Sequence, residues 1–536
     1  MKKVLSIFMA ILMVVTMFSF STVAFAEGEA EAAKEVKYVF IGSGTNYGLA
    51  LVRVPGERIP VLSVAESTSQ SPWNFHVFNP ETPVTGLTHP QVEIPETVGT
   101  AVIDKVNEYA ASGTYSKIVI KTDALTDDSV KIYGLKGTEE CPIVIISKDA
   151  DKEIPQLVNY KNDKTNAPVI TLDSCEYVTV ESINVTALAQ GIVTVNCKNV
   201  AIKNVAFTNI GYVDYLTPES SETDEEGNVT NYYAKMDVTP LLEKGPSVYV
   251  GAGCDGVTVE NCSFTKCRAG VVAHSVDLAE GETESTGIEV LGCTFTEITD
   301  VAVYAVGADD VVVSGGTVTN SGTLANAEDW DGSLAVAFYA DDAQNITIEK
   351  VYSTDNAFFL EAYESTGRVR YNVSARDGGS IAGASELLVY NNTFVEAAGI
   401  SLDAVVRNNI FQMNMGEKAL VEDGDNNCYH WTSKGDRGSI RKNPWFANAY
   451  TGAEGTDVKN NYILATGSPC LGKGEKVEDN MGEADFYGNK AAASINIGAD
   501  AYGTGAEATQ ELPSQFIDLF NYIIALISNF FANLFA

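Results

Sequence analysis

One nine-residue frame, apolar-x-apolar-x-x-apolar-x-apolar-Thr, recurs through the middle of the chain and narrows what the chain can fold into. It reads Val178, Val180, Ile183, Val185, Thr186, then Val200, Ile202, Val205, Phe207, Thr208, then Val257, Val259, Cys262, Phe264, Thr265. Ile288, Val290, Cys293, Phe295, Thr296 and Val311, Val313, Gly316, Val318, Thr319 follow, and a looser copy holds Ile346, Ile348, Val351 and Thr354. The copies are offset by 22, 57, 31, 23 and 35 residues. Alternation at period two marks strands with one face turned inward. A shortest period of 22 with extra length inserted between copies is the mark of a solenoid. A second short strand precedes each copy, at 191–195, 248–251, 271–275, 301–306 and 334–340. Two to three strands per turn and no helical period predict an all-β fold, a parallel β-helix with strands stacked coil on coil. Weaker coils are expected through 368–374, 387–394 and 405–411.

A small side chain sits three residues before the first strand of the copies, at Cys175, Cys197, Cys254, Ala308 and Ala343. A turn residue such as Asn199, Asp310 or Asn345 comes just before the strand. Equivalent residues stack in a solenoid, so these predict internal ladders. Five of the nine cysteines take repeat-equivalent inward positions. The paired spacing of a disulfide or metal framework is missing, which predicts buried free thiols.

The termini carry other signals. Residues 1–26 combine Lys2 and Lys3, an apolar stretch from Val4 to Phe20 and the small-residue site Ala24-Phe25-Ala26. These are the three parts of a secretory signal peptide and predict an exported, extracellular protein. Residues 27–100 read as a β-rich segment of unassigned role. Ala101–Ala111 reads as an amphipathic helix, with Val102, Val106 and Tyr109 on one side, that caps the solenoid of 101–503. An open solenoid end exposes strand edges and core, so a cap is expected. Strands follow it at 117–121, 130–133 and 143–147. A linker at 504–512 leads to 513–536, where Phe516, Leu519, Phe520, Ile523, Ile527, Phe530, Phe531 and Leu534 make a broad apolar helical face. Two readings stand: the helix lies on a membrane surface, a cell wall or a partner, or it folds back on its own domain.

Charge excludes one class of partner. With 71 Asp+Glu against 35 Lys+Arg the net charge is -36, and nucleic acid, which needs a basic surface, is ruled out.

Several motifs together resemble a known family. They are Gly137-Thr138-Glu139-Glu140-Cys141-Pro142-Ile143 near the start and Asn443-Pro444-Trp445-Phe446 near the end. Gly467-Ser468-Pro469-Cys470-Leu471-Gly472, Asp485-x-x-Gly488 and Asn496-Ile497-Gly498-Ala499 complete the closing segment. Over about residues 100–503 the chain resembles secreted bacterial right-handed parallel β-helix proteins of pectate-lyase-like architecture. The resemblance implies that fold and, for many members, lyase or hydrolase action on polysaccharides. Other members are adhesins, so fold alone does not fix the chemistry. The polygalacturonase branch carries Asn-x-Asp, Asp-Asp and Gly-His-Gly on successive coils. Here Asp309-Asp310 and Asp341-Asp342 offer the pair, no Asn-x-Asp precedes them at coil spacing, and His274 sits in Ala-His-Ser.

Insertions at Gly211–Pro246, Asn320–Ser333 and Val276–Gly287 leave both ends of one strand ladder and predict walls around a groove. Aligning the ladder by the Cys/Ala corner places Val193, Val250, Tyr304, Tyr339 and Glu361 in one exposed row. Val195, Ala252, Val306, Asp341 and Tyr363 fall in the row beside it. Tyr304, Tyr339, Tyr363, His274 and Trp330 are the expected substrate-binding residues, the tyrosines stacking on sugar rings. Asp341, Asp342, Glu361 and Arg376 are the expected catalytic residues. The same three carboxylates are the expected ligands of a Ca²⁺ ion in a polysaccharide lyase, where an Arg or Lys removes the ring proton. The lyase, acting on a uronic-acid-containing glycan, is the expected function; a hydrolase would instead use one carboxyl as acid and another as base or nucleophile. The acidic chain makes calcium necessary for a uronic-acid glycan, or favours a neutral one. A non-catalytic glycan-binding surface protein is the alternative.

Overall fold

A computed structural model describes residues 34–41, 61–65, 74–78, 96–122, 130–147, 150, 158–162, 167–211, 220–223, 229–233, 242, 245–276, 278, 280–321, 336–377, 386–397, 400–414, 418–432, 438–447 and 461–506. The chain divides into two compact units, Met1–Glu35 and Val36–Ala536, and nearly all described residues lie in the second. The signal-like residues 1–26, Trp330, and 507–536 with its apolar helix lie outside the described residues.

Three long sheets make up the second unit, with thirteen, eleven and eight described strands. Within the solenoid every strand pairs parallel with its equivalent one coil on. One coil runs Val178–Glu181 in the thirteen-stranded sheet, Ile183–Ala187 in the eleven-stranded sheet and Ile192–Val195 in the eight-stranded sheet. Lys198–Lys203 then re-enters the first sheet. This is a parallel β-helix, and the frame maps directly onto it. Its first two apolar positions lie in one sheet and its last two in the next. Ile202, Val259, Val290, Val313 and Ile348 pair in succession, as do Phe207, Phe264, Phe295 and Val318.

The corner inside the frame is made by one residue with left-handed backbone. Ser182, Asn204, Asn261, Gly292, Gly315 and Lys350 have φ between +52° and +70°. Asn and Gly tolerate that conformation best, and a single such residue redirects the chain into the next sheet. The same corner falls at Tyr371, Asn391 and Asn408. In each weaker coil expected above it separates two strands: Thr366–Arg370 and Val373–Ala375, Glu386–Tyr390 and Thr393–Ala397, Ile400–Arg407 and Ile410–Met413. A tyrosine at a corner is invisible to a reading that looks for Asn or Gly.

Inside, like stacks on like. The Phe207, Phe264 and Phe295 rings lie 4.9 and 4.6 Å apart and nearly parallel. Gly270 makes room for them, because a Cβ there would come within 2.4 Å of the Phe295 ring and the Ala302 carbonyl. All nine cysteines are free and buried. The helix Glu96–Ala111 starts the solenoid, with Val106 and Ala110 joining Ile118 and Ile120 in the core.

Two polar ladders replace apolar packing in the later coils. Asn372, Asn392, Asn409 and Asn427 stack in the frame's third apolar position, each fully buried. The backbone N–H of Val351, Asn372, Asn392 and Asn409 each donates to the next Asn Oδ1 at 2.9–3.0 Å. A buried N–H at a corner is thus satisfied by a side chain one coil ahead. The second ladder is Ser321, Asn356 and Asp377. Ser321 N donates to Asn356 Oδ1 at 2.7 Å, Asn356 N to Asp377 Oδ1 at 2.9 Å, and Ser374 Oγ to Asp377 Oδ2 at 2.7 Å.

The segment 461–506 returns along the flank of the last coils and uses their corners as attachment points. Asn391 Nδ2 donates to Asn496 O, and Asn408 exchanges hydrogen bonds with Glu475 O and N at 2.7 and 3.0 Å. Tyr371 and Tyr502 hydroxyls meet at 2.9 Å. Among the described residues no helix is long and apolar enough to cross a membrane.

Two outcomes follow from the ladders. Asn392→Ala strands the Asn372 N–H and the Val369 and Tyr390 carbonyls in a dry interior, so denaturant unfolding should show a loss of about 3 kcal/mol. A loss within error of zero would mean that water or a rearranged neighbour replaces the amide. Burial pushes the Asp377 carboxyl up to about 6 from 3.8. Between those values the folded state binds more protons than the unfolded one, so this residue's contribution to stability falls as pH rises through that window. Asp377→Asn keeps an acceptor for Asn356 and gains a donor toward Ser374. It should remove that decline and gain up to about 3 kcal/mol at pH 7 relative to the parent chain. An unchanged pH dependence of the melting temperature would contradict this.

Candidate functional site

The eight-stranded sheet turns one face outward, and five of its strands carry the residues singled out above. They are Pro246–Val250, Ala269–His274, Val301–Val306, Val336–Asp341 and Phe358–Tyr363. Register fixes which side chains are neighbours. One outward column is Val193, Tyr249, Val272, Tyr304, Tyr339, Glu361. The pairing that puts Ala305 on Ala340 and Val306 on Asp341 makes the next outward column His274, Val306, Asp341, Tyr363.

This corrects the expected rows in one coil. Tyr249 takes the place expected for Val250, and Gly251, which follows the end of this strand, the place expected for Ala252. The cause is one extra residue at that corner. Val195 lies two residues before Cys197, whereas Gly251 lies three before Cys254, with Gly253 at φ +71° absorbing the excess. A slip of one turns every side chain of a strand to the other face, so Val250 is inside and fully buried. Tyr249 was therefore missed; counting from the strand's own apolar alternation, rather than from the corner, would have found it.

The insertions border this face. Those following Ala206–Thr208 and Thr317–Thr319 come back at the N-terminal ends of Pro246–Val250 and Val336–Asp341, and the one at 276–284 leaves the C-terminal end of Ala269–His274. Within the first, Ser220–Thr223 pairs antiparallel with Val229–Tyr233. Its far end reaches the sheet, where Gln190 Nε2 donates to Leu242 O at 2.6 Å. Leu242 packs against a cluster of Ala269, Val272, Val301 and Val336, all fully buried, as do the partly buried Tyr249, Tyr304, Tyr339 and Phe358. This apolar patch spans the coils from Tyr249 to Phe358 toward the N-terminal ends of the strands, and the column of His274, Val306, Asp341 and Tyr363 lies toward their C-terminal ends.

On this face the rings form a ladder. His274 and Tyr304 have centroids 6.3 Å apart, Tyr304 and Tyr339 5.1 Å apart with planes within 8°. Tyr339 and Tyr363 are 5.9 Å apart and tilted by 46°. Because Tyr304 and Tyr339 stack on each other, one face of each ring is already taken. They present edges and hydroxyls outward, and Tyr363, tilted at the end, is the ring placed to offer a face to a ligand.

Two carboxylates flank the ladder. Glu361 pairs with Tyr339 and Asp341 with Tyr363, so the acids are diagonal neighbours on adjacent coils. One coil and two residues correspond to about 8 Å between their backbone positions. Glu361 is half-buried, and desolvation raises its carboxyl above the usual range. Burial, and then the Asp341 charge, push the Tyr339 phenol up to about 12 and the Tyr304 phenol up as well. Both stay protonated donors at neutral pH.

Asp342 and Arg376 are placed differently. Each is a left-handed corner residue, with φ of +47° and +61°. Asp342 turns the chain out of the strand that carries Asp341. Arg376 lies at the corner following Val373–Ala375, in line with Asp355, which ends the equivalent strand one coil back. It grips Asp355 through Nε and Nη2, both at 2.6 Å, and donates from Nη2 to Thr354 Oγ1 at 2.8 Å. The equivalent corner, at Asp355, precedes Glu361 by about 20 Å of extended chain. The structure therefore brings together Tyr304, Tyr339, Tyr363, His274, Asp341 and Glu361, and leaves Arg376 apart from them. Among the described residues no group of three or more His, Cys, Asp or Glu side chains is disposed to hold a metal ion. Asp341, Asp342 and Glu361 accordingly do not form such a group.

Comparison with known proteins bears on the fold. No curated protein matches the chain. Among solved structures, a lacto-N-biosidase from Eubacterium ramulus is similar at 12% identity and TM-score 0.38, covering 57% of this chain and 61% of that one. An alginate lyase from Paenibacillus sp. str. FPU-7 is similar at 11% identity and TM-score 0.32, covering 60% and 95%. PfbA, a surface adhesin of Streptococcus pneumoniae, is similar at 13% identity and TM-score 0.32, covering 61% and 88%. This chain spans less than two thirds of the lacto-N-biosidase. Residues 280–463 match the family model described as right handed beta helix region, and three all-parallel sheets around one stacked core give the chain an all-β parallel β-helix fold.

Proposed function

We propose that this outward face binds a glycan along its tyrosine ladder and that Glu361 and Asp341 act on one of its glycosidic bonds. The observation that carries the reading is the carboxyl pair set diagonally beside a ladder of three tyrosines. Glu361, partly desolvated and raised, suits the proton donor that protonates the leaving oxygen. Asp341, in the neighbouring column beside Tyr363, suits the base that activates water. Their diagonal placement on adjacent coils, about 8 Å apart at the backbone, is compatible with a water held between the carboxyls and favours hydrolysis with inversion. Tyr304 and Tyr339 hydroxyls would orient sugar hydroxyls, and Tyr363 would back a sugar ring.

A lyase finds less support. Its expected base, Arg376, is committed to Asp355 at a corner, and its expected calcium ligands do not form a group. Export through residues 1–26 and surface attachment through 513–536 belong to the same reading, since they would place the site where polysaccharide is met.

The test is release of reducing ends from a glycan panel, with the anomer of the first product read by NMR. The parent chain should release the inverted anomer. Glu361→Gln and Asp341→Asn should each lower kcat by about 10² to 10⁴-fold with the melting temperature held. Binding without turnover would leave a glycan-binding protein and remove the catalytic assignment. An unsaturated, ultraviolet-absorbing product would replace hydrolysis by elimination.

A further inference from the structure

The charge around this face constrains what glycan can enter it. From Tyr249 to Tyr363 the two outward columns hold Tyr, Val, His, Asp, Glu and Gly, with neither Lys nor Arg. The arginines at the upstream corners are each held by a carboxylate. Arg268 Nε donates to Asp300 Oδ2 at 2.8 Å with both side chains nearly buried, and Arg376 grips Asp355. Downstream, the corner residues beside Asp341 and Tyr363 are Asp342 and Glu364. The three bordering insertions, 212–244, 276–284 and 322–335, carry fifteen Asp and Glu against two Lys. The described outward side chains of the floor are thus net negative, and the sequence of the insertions that leave its strands is acidic as well.

We infer that the glycan accepted here is an uncharged one, read by the outward hydroxyls of Tyr304 and Tyr339 and by the Tyr363 ring, with no cation bridging it to the carboxylates. This rests on the glycan reading above and narrows it to a substrate class. A uronate would bring its carboxylate against Glu361 and Asp341 with no Lys or Arg among the described outward side chains of the two columns. A neutral sugar brings hydroxyls, which phenols, a carboxylate and an imidazole all satisfy as donors or acceptors. The ladder spacing supports the same choice. Successive coils repeat at about 4.8 Å, comparable with the length of one pyranose, so a chain lying along the solenoid axis would meet one phenol per sugar. Both phenols remain protonated at neutral pH, which keeps them donors to ring and hydroxyl oxygens.

The test measures retention of the full chain on immobilised neutral polysaccharides (glucans, xylans, galactans) and on polyuronates (polygalacturonate, alginate), in EDTA and in millimolar calcium. At least one neutral glycan should bind ten times or more tighter than either polyuronate in EDTA. Calcium should change that affinity less than twofold. Tyr339→Phe should weaken the neutral glycan about tenfold while the melting temperature holds, and Tyr304→Phe serves as the second variant if it does not. Polyuronate binding that equals or exceeds every neutral glycan, or that appears only with calcium, overturns the substrate class. The glycan reading survives that result if Glu361→Gln still abolishes turnover of the polyuronate. Retention on no glycan at all overturns both together.

Discussion

In-register stacking of parallel coils is the constraint on which everything else depends. Each strand exchanges its backbone hydrogen bonds with the equivalent strand of the next coil, and each inward side chain rests on its own counterpart. A wrong register would put polar residues inside and apolar ones outside along a whole strand, so the inward ladders of Val, Ile, Phe and Cys hold it in place. Where the ladder turns polar, as at Asn372, Asn392, Asn409 and Asn427, every amide is satisfied by the coil before or after it. The polar version specifies register at least as tightly as the apolar one, since a slip would strand buried donors.

The outward face inherits its order from that interior. Nothing on the surface has to hold Tyr304 beside Tyr339 or Glu361 beside Tyr339; the core beneath them does. Stacking has a cost for recognition, because rings that pair with each other withdraw their faces from a ligand. What remains is a row of edges and hydroxyls, ended by one tilted ring at Tyr363. The same rigidity sets the carboxylates apart on a diagonal and partly dries Glu361, so that its proton is retained nearer to neutral pH.

The fold was legible in the sequence because a solenoid writes its geometry in repeating offsets. The frame located two sheets, and the short strands before it located the third. Corners were legible where Asn or Gly marks them and silent where Tyr371 or Lys350 takes the left-handed position. On the site, the ladder of Tyr304, Tyr339, Tyr363, Asp341 and Glu361 could be read because every coil from Val301 onward returns to its corner in the same number of residues. The coil with Tyr249 could not, since one added glycine-flanked residue broke the count. Arg376 and Asp342 looked functional because charge near a groove draws attention. Their backbone conformation, which no side-chain pattern announces, makes them corner residues. Where wall loops and termini matter to function, as at Trp330 and 513–536, the reading stays with the sequence.

A disulfide between coils tests the stacking most directly. Tyr304 and Tyr339 are thirty-five residues apart in sequence yet are in-register neighbours on adjacent strands. A Tyr304→Cys, Tyr339→Cys double variant places two outward sulfurs at a spacing that a disulfide can span, whereas in Tyr304→Cys, Ala340→Cys the second sulfur points into the core. Mild oxidation followed by peptide mass mapping should find the first cross-link formed and the second absent. Cross-linking of the 304–340 pair in preference to the 304–339 pair would contradict the register, and with it the placement of Glu361 and Asp341 on one face.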